Sequence, residues 1–371
     1  MSHNITLAAL DRCLSLAALG SEIGDSSLLL DERVDWVALI SLANKQLVAP
    51  ALWTGLDRAS VLEQIPADVQ SYLALLHSRN AVRNASIRAQ CLEIGAILTT
   101  NGIRAVLLKG VTWLFDDGSP AAADRMMRDI DLLVESEHIQ AASAALLASC
   151  YHDTGQELSE EGHFHCPPLV PQAGEAVVEI HRDLAHRSDL LPAKEVINSA
   201  SELTPGLLLP AMRHRIIHNV IHSQIENGDF WGGLINLHDD LDLARLVVRC
   251  GPDFDWESLA ADARRAGFFP QLSGAMHAVR GTLKCPLPVP VQSFWGRIHA
   301  TRCIHQRKWP FISKIAESLG FTARALAWDR DAYPLGLGSS RSLKAHILVN
   351  RRRIQRAMAA FAHIRSGGKL N

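Results

Sequence analysis

Two aspartates, Asp129 and Asp131, stand two residues apart inside the apolar run Arg125-Met-Met-Arg-Asp-Ile-Asp-Leu-Leu-Val134. That run reads as a buried β-strand. Its period of two puts both carboxylates on one face, while Ile130, Leu132 and Val134 point to the other. Ionised carboxylates side by side repel, and burying them is costly unless a positive charge neutralises them. A divalent cation does this, and a common use of such a pair is to hold Mg²⁺ against nucleotide phosphates.

Three further sets of residues point to the same chemistry. Lys109-Gly110 closes the short apolar strand Arg104–Lys109 and precedes a short helix read over Val111–Asp117. Glycine lets a phosphate approach the backbone, the helix start favours an anion, and the lysine adds a mobile positive charge. Glu179 and His181 share one face of a third strand, Ala176–Arg182. There Glu179 offers a third carboxylate, and His181 a contact to phosphate or acceptor. Arg125 and Arg128 flank the aspartates and can balance phosphate charge, Arg128 also as an ion-pair partner of Asp129. Each feature alone has an ordinary structural explanation, such as a solvated strand face or a simple turn. Their order inside one compact unit is what points to a site.

The elements that must carry these residues follow from periodicity. Residues 1–100 read as an N-terminal helical region, in which 68–101 is two helices or one broken helix ending at the C-cap signal Asn101-Gly102. Residues 101–190 form a small α/β core with a loop at Gly118–Pro120. It also holds an Ala-rich helix over Ser136–Ser149, capped by Ser136, and a polar loop with His163 and His165. From Pro192 the chain reads as helical, giving a C-terminal helical domain over 191–330 with helices at Arg213–Gln224, Leu234–Arg249 and Asp253–Gly267. Residues 331–371 read as a basic helical tail, a surface helix that docks its apolar face on the body.

A competing constellation lies further on. His214, His218 and His222 recur every four residues and line one helical face. With His238-Asp239 they could form a transition-metal site of the phosphohydrolase type. The alternative places His218, His222 and Asp242 on the acceptor side of a cleft.

Composition narrows the partners. A formal net charge of −2 gives no global pull toward nucleic acid or acidic membranes, so neither is expected as a partner. No apolar run reaches the roughly 18 residues that span a bilayer. Seven scattered cysteines without a Cys-x-x-Cys pair favour reduced thiols and a cytoplasmic location over a disulfide framework or zinc site.

The motifs Leu108-Lys109-Gly110, Arg125 four residues before Asp-Ile-Asp-Leu-Leu-Val, and Glu179-Ile180-His181 together resemble the bacterial family of uncharacterised nucleotidyltransferases. That family is similar to the nucleotidyltransferase superfamily with the DNA polymerase β-like fold. The resemblance implies an α+β fold: a small mixed-sheet core flanked by N-terminal and C-terminal helical regions. It implies transfer of an NMP from an NTP to an acceptor hydroxyl, with Mg²⁺ or Mn²⁺ as cofactor. Asp129, Asp131 and Glu179 would be the catalytic, metal-holding carboxylates. Asp129 and Asp131 would hold the triphosphate's metal, and Glu179 with Asp131 a second one that activates the acceptor. Lys109, Gly110, Arg125, Arg128 and His181 would contact the nucleotide. The acceptor would be a small molecule, peptide or protein, and relatives often accompany biosynthetic gene clusters. This chain departs from the superfamily in having Lys109-Gly110 where a Gly-Ser turn is usual, with Thr112 as the nearest hydroxyl. A phosphohydrolase built on the histidines, or a non-catalytic nucleotide binder, would be the other outcomes.

Overall fold

The computed structural model describes residues 2–20, 27–116, 121–153 and 165–309. The loop read at Gly118–Pro120, His163 and the basic tail lie outside the described residues. Four helices come first: α1 (Ser2–Leu19), α2 (Trp36–Lys45), α3 (Ala49–Arg58) and α4 (Ala67–Thr100). The last corrects the expected break, being a single helix of 34 residues. Asn80 and Asn84 interrupt its apolar stripe and suggest an end, because asparagine disfavours helix interiors. Here both amides are used in packing. Asn80 Nδ2 donates to the Ala123 carbonyl (2.5 Å), and Asn84 Nδ2 donates to those of Ala122 and Arg125 (2.8 Å each).

The core follows as β1 (Ala105–Leu107), a 3₁₀ turn (Lys109–Phe115), α5 (Ala121–Asp124), β2 (Asp129–Leu133), α6 (Ile139–Leu147), β3 (Tyr151–Asp153), β4 (Leu169–Pro171) and β5 (Val177–His181). A one-turn 3₁₀ segment, Ser136–His138, leads into α6, and no side chain caps it. The expected Ser136 cap is therefore replaced by a tighter first turn, which satisfies end groups through i→i+3 bonds. After α7 (Ala193–Ser199) the chain returns to the sheet as β6 (Ser201–Thr204) and β7 (Leu207–Leu209), which corrects the all-helical reading beyond Pro192. Pro205-Gly206 makes the hairpin turn, with Gly206 at φ +84°. An L side chain there would also run into Thr99 Oγ1. Strands of three and four residues are too short to show a period, so only that turn signal betrayed them.

The sheet has seven strands in the order β3-β4-β5-β2-β1-β7-β6. β2 runs antiparallel to β1 and parallel to β5. One face carries Leu107, Ile130, Leu132, Val178 and Ile180, which pack with Ile87, Cys91, Ile94 and Leu98 of α4 and with α6. On the other face Val106, Leu133 and Leu208 join a larger core. That face also bears Asp129, Asp131 and Glu179, so the predicted alternation holds.

The larger core is completed by α8 (Met212–Val220), which continues into a π-helical turn (Ile221–Glu226), and by α9 (Asp229–Gly232), α10 (Leu237–Cys250), α11 (Trp256–Ala266), α12 (Phe269–Leu283) and α13 (Phe294–Lys308). It unites residues from Ala9 to Val291, so helices from both ends of the chain build one body over the carboxylate face. No helix of the described residues is long and apolar enough to cross a membrane.

Candidate active site

The site forms where β1, β2 and β5 meet the helical body. Parallel pairing sets Asp131 directly beside Glu179. Asp131 is 2% exposed, whereas Glu179 reaches the cleft. Lys109 Nζ and His181 Nε2 both donate to Asp131 Oδ1, each at 2.8 Å. Glu179 Oε2 lies 3.7 Å from the same imidazole nitrogen. Burial by itself raises the Asp131 carboxyl pKa. The Lys109 ammonium and the His181 hydrogen bond outweigh it and hold the group well below the usual carboxylate range. Asp129 goes the other way. Burial and then the Asp131 charge push its carboxyl up, with only partial relief from Lys109 and Arg125. An added cation beside Asp129 would thus be favourable. Asp131, Glu179 and His181 also bring one ligand atom each within 4.8 Å of one another. Because His181 presents an N–H to Asp131, it buttresses that carboxylate.

Lys109 begins the 3₁₀ turn with φ +52°, a left-handed conformation that is uncommon for a residue with a side chain. Two bonds fix the turn: Leu108 N–H donates to the Asp131 carbonyl (3.0 Å), and Thr112 Oγ1 to the Lys109 carbonyl (2.7 Å). The hydroxyl singled out in the sequence is therefore turned back onto the backbone. Gly110 has a role that the sequence did not suggest: a Cβ there would sit 2.9 Å from Met127 Cγ and 3.2 Å from the Arg125 guanidinium carbon. Gly110→Ala should therefore cost about 1–3 kcal/mol of stability and lower activity by shifting Arg125. Urea unfolding checks the first effect and a transfer assay the second.

A cleft of about 520 Å³ opens over these residues, lined among others by Lys109, Arg128, Asp129, Glu179, His218 and His222. Asp131 and His181, each 2% exposed, do not line it; they lie behind Lys109 and Glu179, which do. Arg128 is exposed and makes no ion pair with Asp129, so the reading of an Asp129 partner is not met. Arg125 is largely buried in the wall. Its Nε donates to Asp242 Oδ2 at 2.7 Å, and its Nη1 to the Met126 carbonyl at 2.5 Å. His238 Nε2 lies beside both, 2.5 Å from Arg125 Nη1 and 3.0 Å from the Met126 carbonyl oxygen. Arg125 and Asp242 thus clamp the loop before β2 to α10.

The histidines do not gather into a metal site. His214 lines the cleft too, but its ring nitrogens are taken by Ser199 Oγ (3.0 Å) and Glu195 Oε1 (3.2 Å). Among the described residues, two groups bring three ligands together: Asp131/Glu179/His181 and the surface turn Glu135/Glu137/His138. Neither draws on His214, His218, His222, His238 or Asp239. The π turn after α8 carries His222, whose ring centroid lies 6.3 Å from that of His218. Burial, then the nearby Lys109 charge, lowers both imidazoles below their ordinary pKa, so they face the cleft uncharged at neutral pH.

Sequence reasoning missed the asparagine clamps of α4 and Arg215, another residue of the cleft wall. Arg215 stacks over Trp113 at 4.6 Å and pairs with Asp116 at 2.9 Å. Two asparagines four apart inside a long apolar-periodic stretch were the available signal for the first. The second needs tertiary structure. Residues 32–284 match the family described as uncharacterised nucleotidyltransferase. No curated protein and no solved structure matches the chain.

Proposed function

Because the chain belongs to the uncharacterised nucleotidyltransferase family, we propose that this cleft transfers an NMP from an NTP to an acceptor hydroxyl. The observation that carries the proposal is the charge arrangement at the strand ends. Asp129, Asp131 and Glu179 share one sheet face at the base of a cleft, with a lysine on the innermost of them. The mixed sheet bearing them supports kinship with the DNA polymerase β-like superfamily. The donor set fits a hard divalent ion, Mg²⁺ or Mn²⁺, held by the three carboxylates. When bound, such an ion supplies neutralisation of triphosphate charge and polarisation of the reacting oxygens.

The protein's own groups then divide the work. Lys109 and the exposed Arg128 offer cations to the β- and γ-phosphates. His181 keeps Asp131 ionised and fixed in direction. Glu179 accepts the proton of the acceptor hydroxyl as its oxygen bonds to the α-phosphorus and pyrophosphate leaves. His218 and His222, uncharged, line the acceptor side and offer hydrogen bonds without repelling a cation. Asp242 acts through Arg125, holding the loop that delivers Asp129. Most of the rate gain would be positioning and charge complementarity. A small molecule, peptide or protein is the acceptor class.

Calorimetric titration of each NTP with Mg²⁺, alongside pyrophosphate measurement, tests the proposal. One NTP should bind in a metal-dependent way and release pyrophosphate slowly, with water as a poor acceptor. Absence of binding by all four NTPs would overturn it.

A further inference from the structure

We infer that Lys109 is an internal counter-cation for the metal position: it holds Asp131 before substrate arrives and passes to the triphosphate when the metal–nucleotide complex enters. The inference rests on the proposed function for the identity of the arriving ligand. Its physical basis is the occupancy of one oxygen. Asp131 Oδ1 accepts from both Lys109 Nζ and His181 Nε2 at 2.8 Å. A cation that takes this oxygen must displace one of the two donors. His181 is fixed: it lies within β5 and is 2% exposed. The Lys109 side chain is 24% exposed and borders the cleft, so it has somewhere to go.

The backbone supports the same division. The left-handed turn at Lys109 is pinned by the Leu108 and Thr112 hydrogen bonds, and Gly110 is wedged against Met127 and Arg125. The main chain cannot follow the ammonium, so the exchange is one of side-chain rotamers. A residue with a side chain is strained in this region, and from it the Lys109 ammonium reaches Asp131 on β2.

Electrostatics supplies the trigger. Asp129, Asp131 and Glu179 outnumber the cations beside them, Lys109 and an Arg125 already paired with Asp242, so the cluster is under-neutralised. A divalent ion and an ammonium cannot share Asp131 Oδ1 without strong like-charge repulsion. The ammonium is released next to the phosphates that accompany the metal. Metal and nucleotide should therefore bind cooperatively, and metal alone should bind weakly.

Lys109→Met tests this with Mn²⁺ alone, followed by electron paramagnetic resonance. The variant should bind free Mn²⁺ about tenfold more tightly than wild type, while its affinity for NTP falls. Opposite signs from one substitution are not what a general loss of structure produces. Equal or weaker Mn²⁺ binding in a folded Lys109→Met protein would overturn the exchange and leave the transferase proposal standing. No Mn²⁺ and no NTP binding in wild type would overturn both. Should the variant not fold, amine acylation of wild type read by mass spectrometry decides. Saturating Mn²⁺ should raise the labelling of Lys109, and unchanged labelling would reject the exchange.

Discussion

Asp131→Asn should yield a folded protein whose nucleotidyl transfer falls by on the order of 10³-fold, read as pyrophosphate release at saturating NTP and Mg²⁺. Asparagine has nearly the same shape, and its carbonyl oxygen can still accept from Lys109 or His181. It lacks the charge that both donors and a metal require. Asp131→Leu should do worse, because it leaves a buried imidazole and an ammonium facing a methyl group. The pair of variants separates chemistry from packing. A pH dependence accompanies them. The Asp131 carboxyl is held below its unfolded value, so its contribution to stability is fully present above the unfolded pKa of about 3.9 and is lost as pH falls toward the folded value. The loss of stability on acidification should accordingly be shallower in Asp131→Asn than in wild type. Wild-type turnover in Asp131→Asn would remove this residue from the site.

Arg245→Met should produce the largest loss of stability, about 3–5 kcal/mol by urea unfolding. Arg245 on α10 pairs with Asp124 at 2.5 Å, and Asp124 also accepts from Thr54 Oγ1 at 2.6 Å. Both residues are buried, Asp124 almost completely. Removing the guanidinium leaves a buried carboxylate with only the Thr54 hydroxyl and the His77 imidazole, 3.4 Å away, beside it. Adding Asp124→Leu in the Arg245→Met background should recover much of the loss, since apolar replacement of both partners also removes the desolvation cost. The neighbouring pair has reversed polarity: Arg125 on the loop meets Asp242 on α10. Asp124-Arg125 thus docks on Asp242 and Arg245, three apart on one helical face. A loss under 1 kcal/mol in the single variant would show that water reaches the pair.

The carboxylate strand was the most legible part of this chain. Asp129, Asp131 and Glu179 lie on the one sheet face that a strict period of two predicts, whereas His181, read as a contact to phosphate or acceptor, is buried against Asp131. The Lys109-Gly110 turn was legible as a turn. The sequence offered Gly110 as an opening for a phosphate to approach the backbone; in the fold Lys109 takes the left-handed conformation and Gly110 makes room for Arg125. Strands β3, β4, β6 and β7 carried too few residues for any period to stand out. The partners of each histidine were hidden for another reason: His214 is taken up by Ser199 and Glu195, while His218 and His222 stay together at the cleft, a division set by tertiary contacts. That Arg125 is held by Asp242, 117 residues away, belongs to tertiary structure alone.

The shared helical core has a consequence for how the chain is made. Ser15 of α1 donates its hydroxyl to the carbonyl of Leu283 at 2.6 Å, 268 residues downstream, and α1 also packs on α10 and α12. α3 is translated early and covers part of α1, but at about 5–20 residues per second the part that packs on α10 and α12 waits roughly 10–50 s. Over that interval this part of α1 stays open to the ribosome's surroundings, a holding task suited to a chaperone. Slowing translation ahead of α12 should consequently lower the soluble yield even though no native contact has changed.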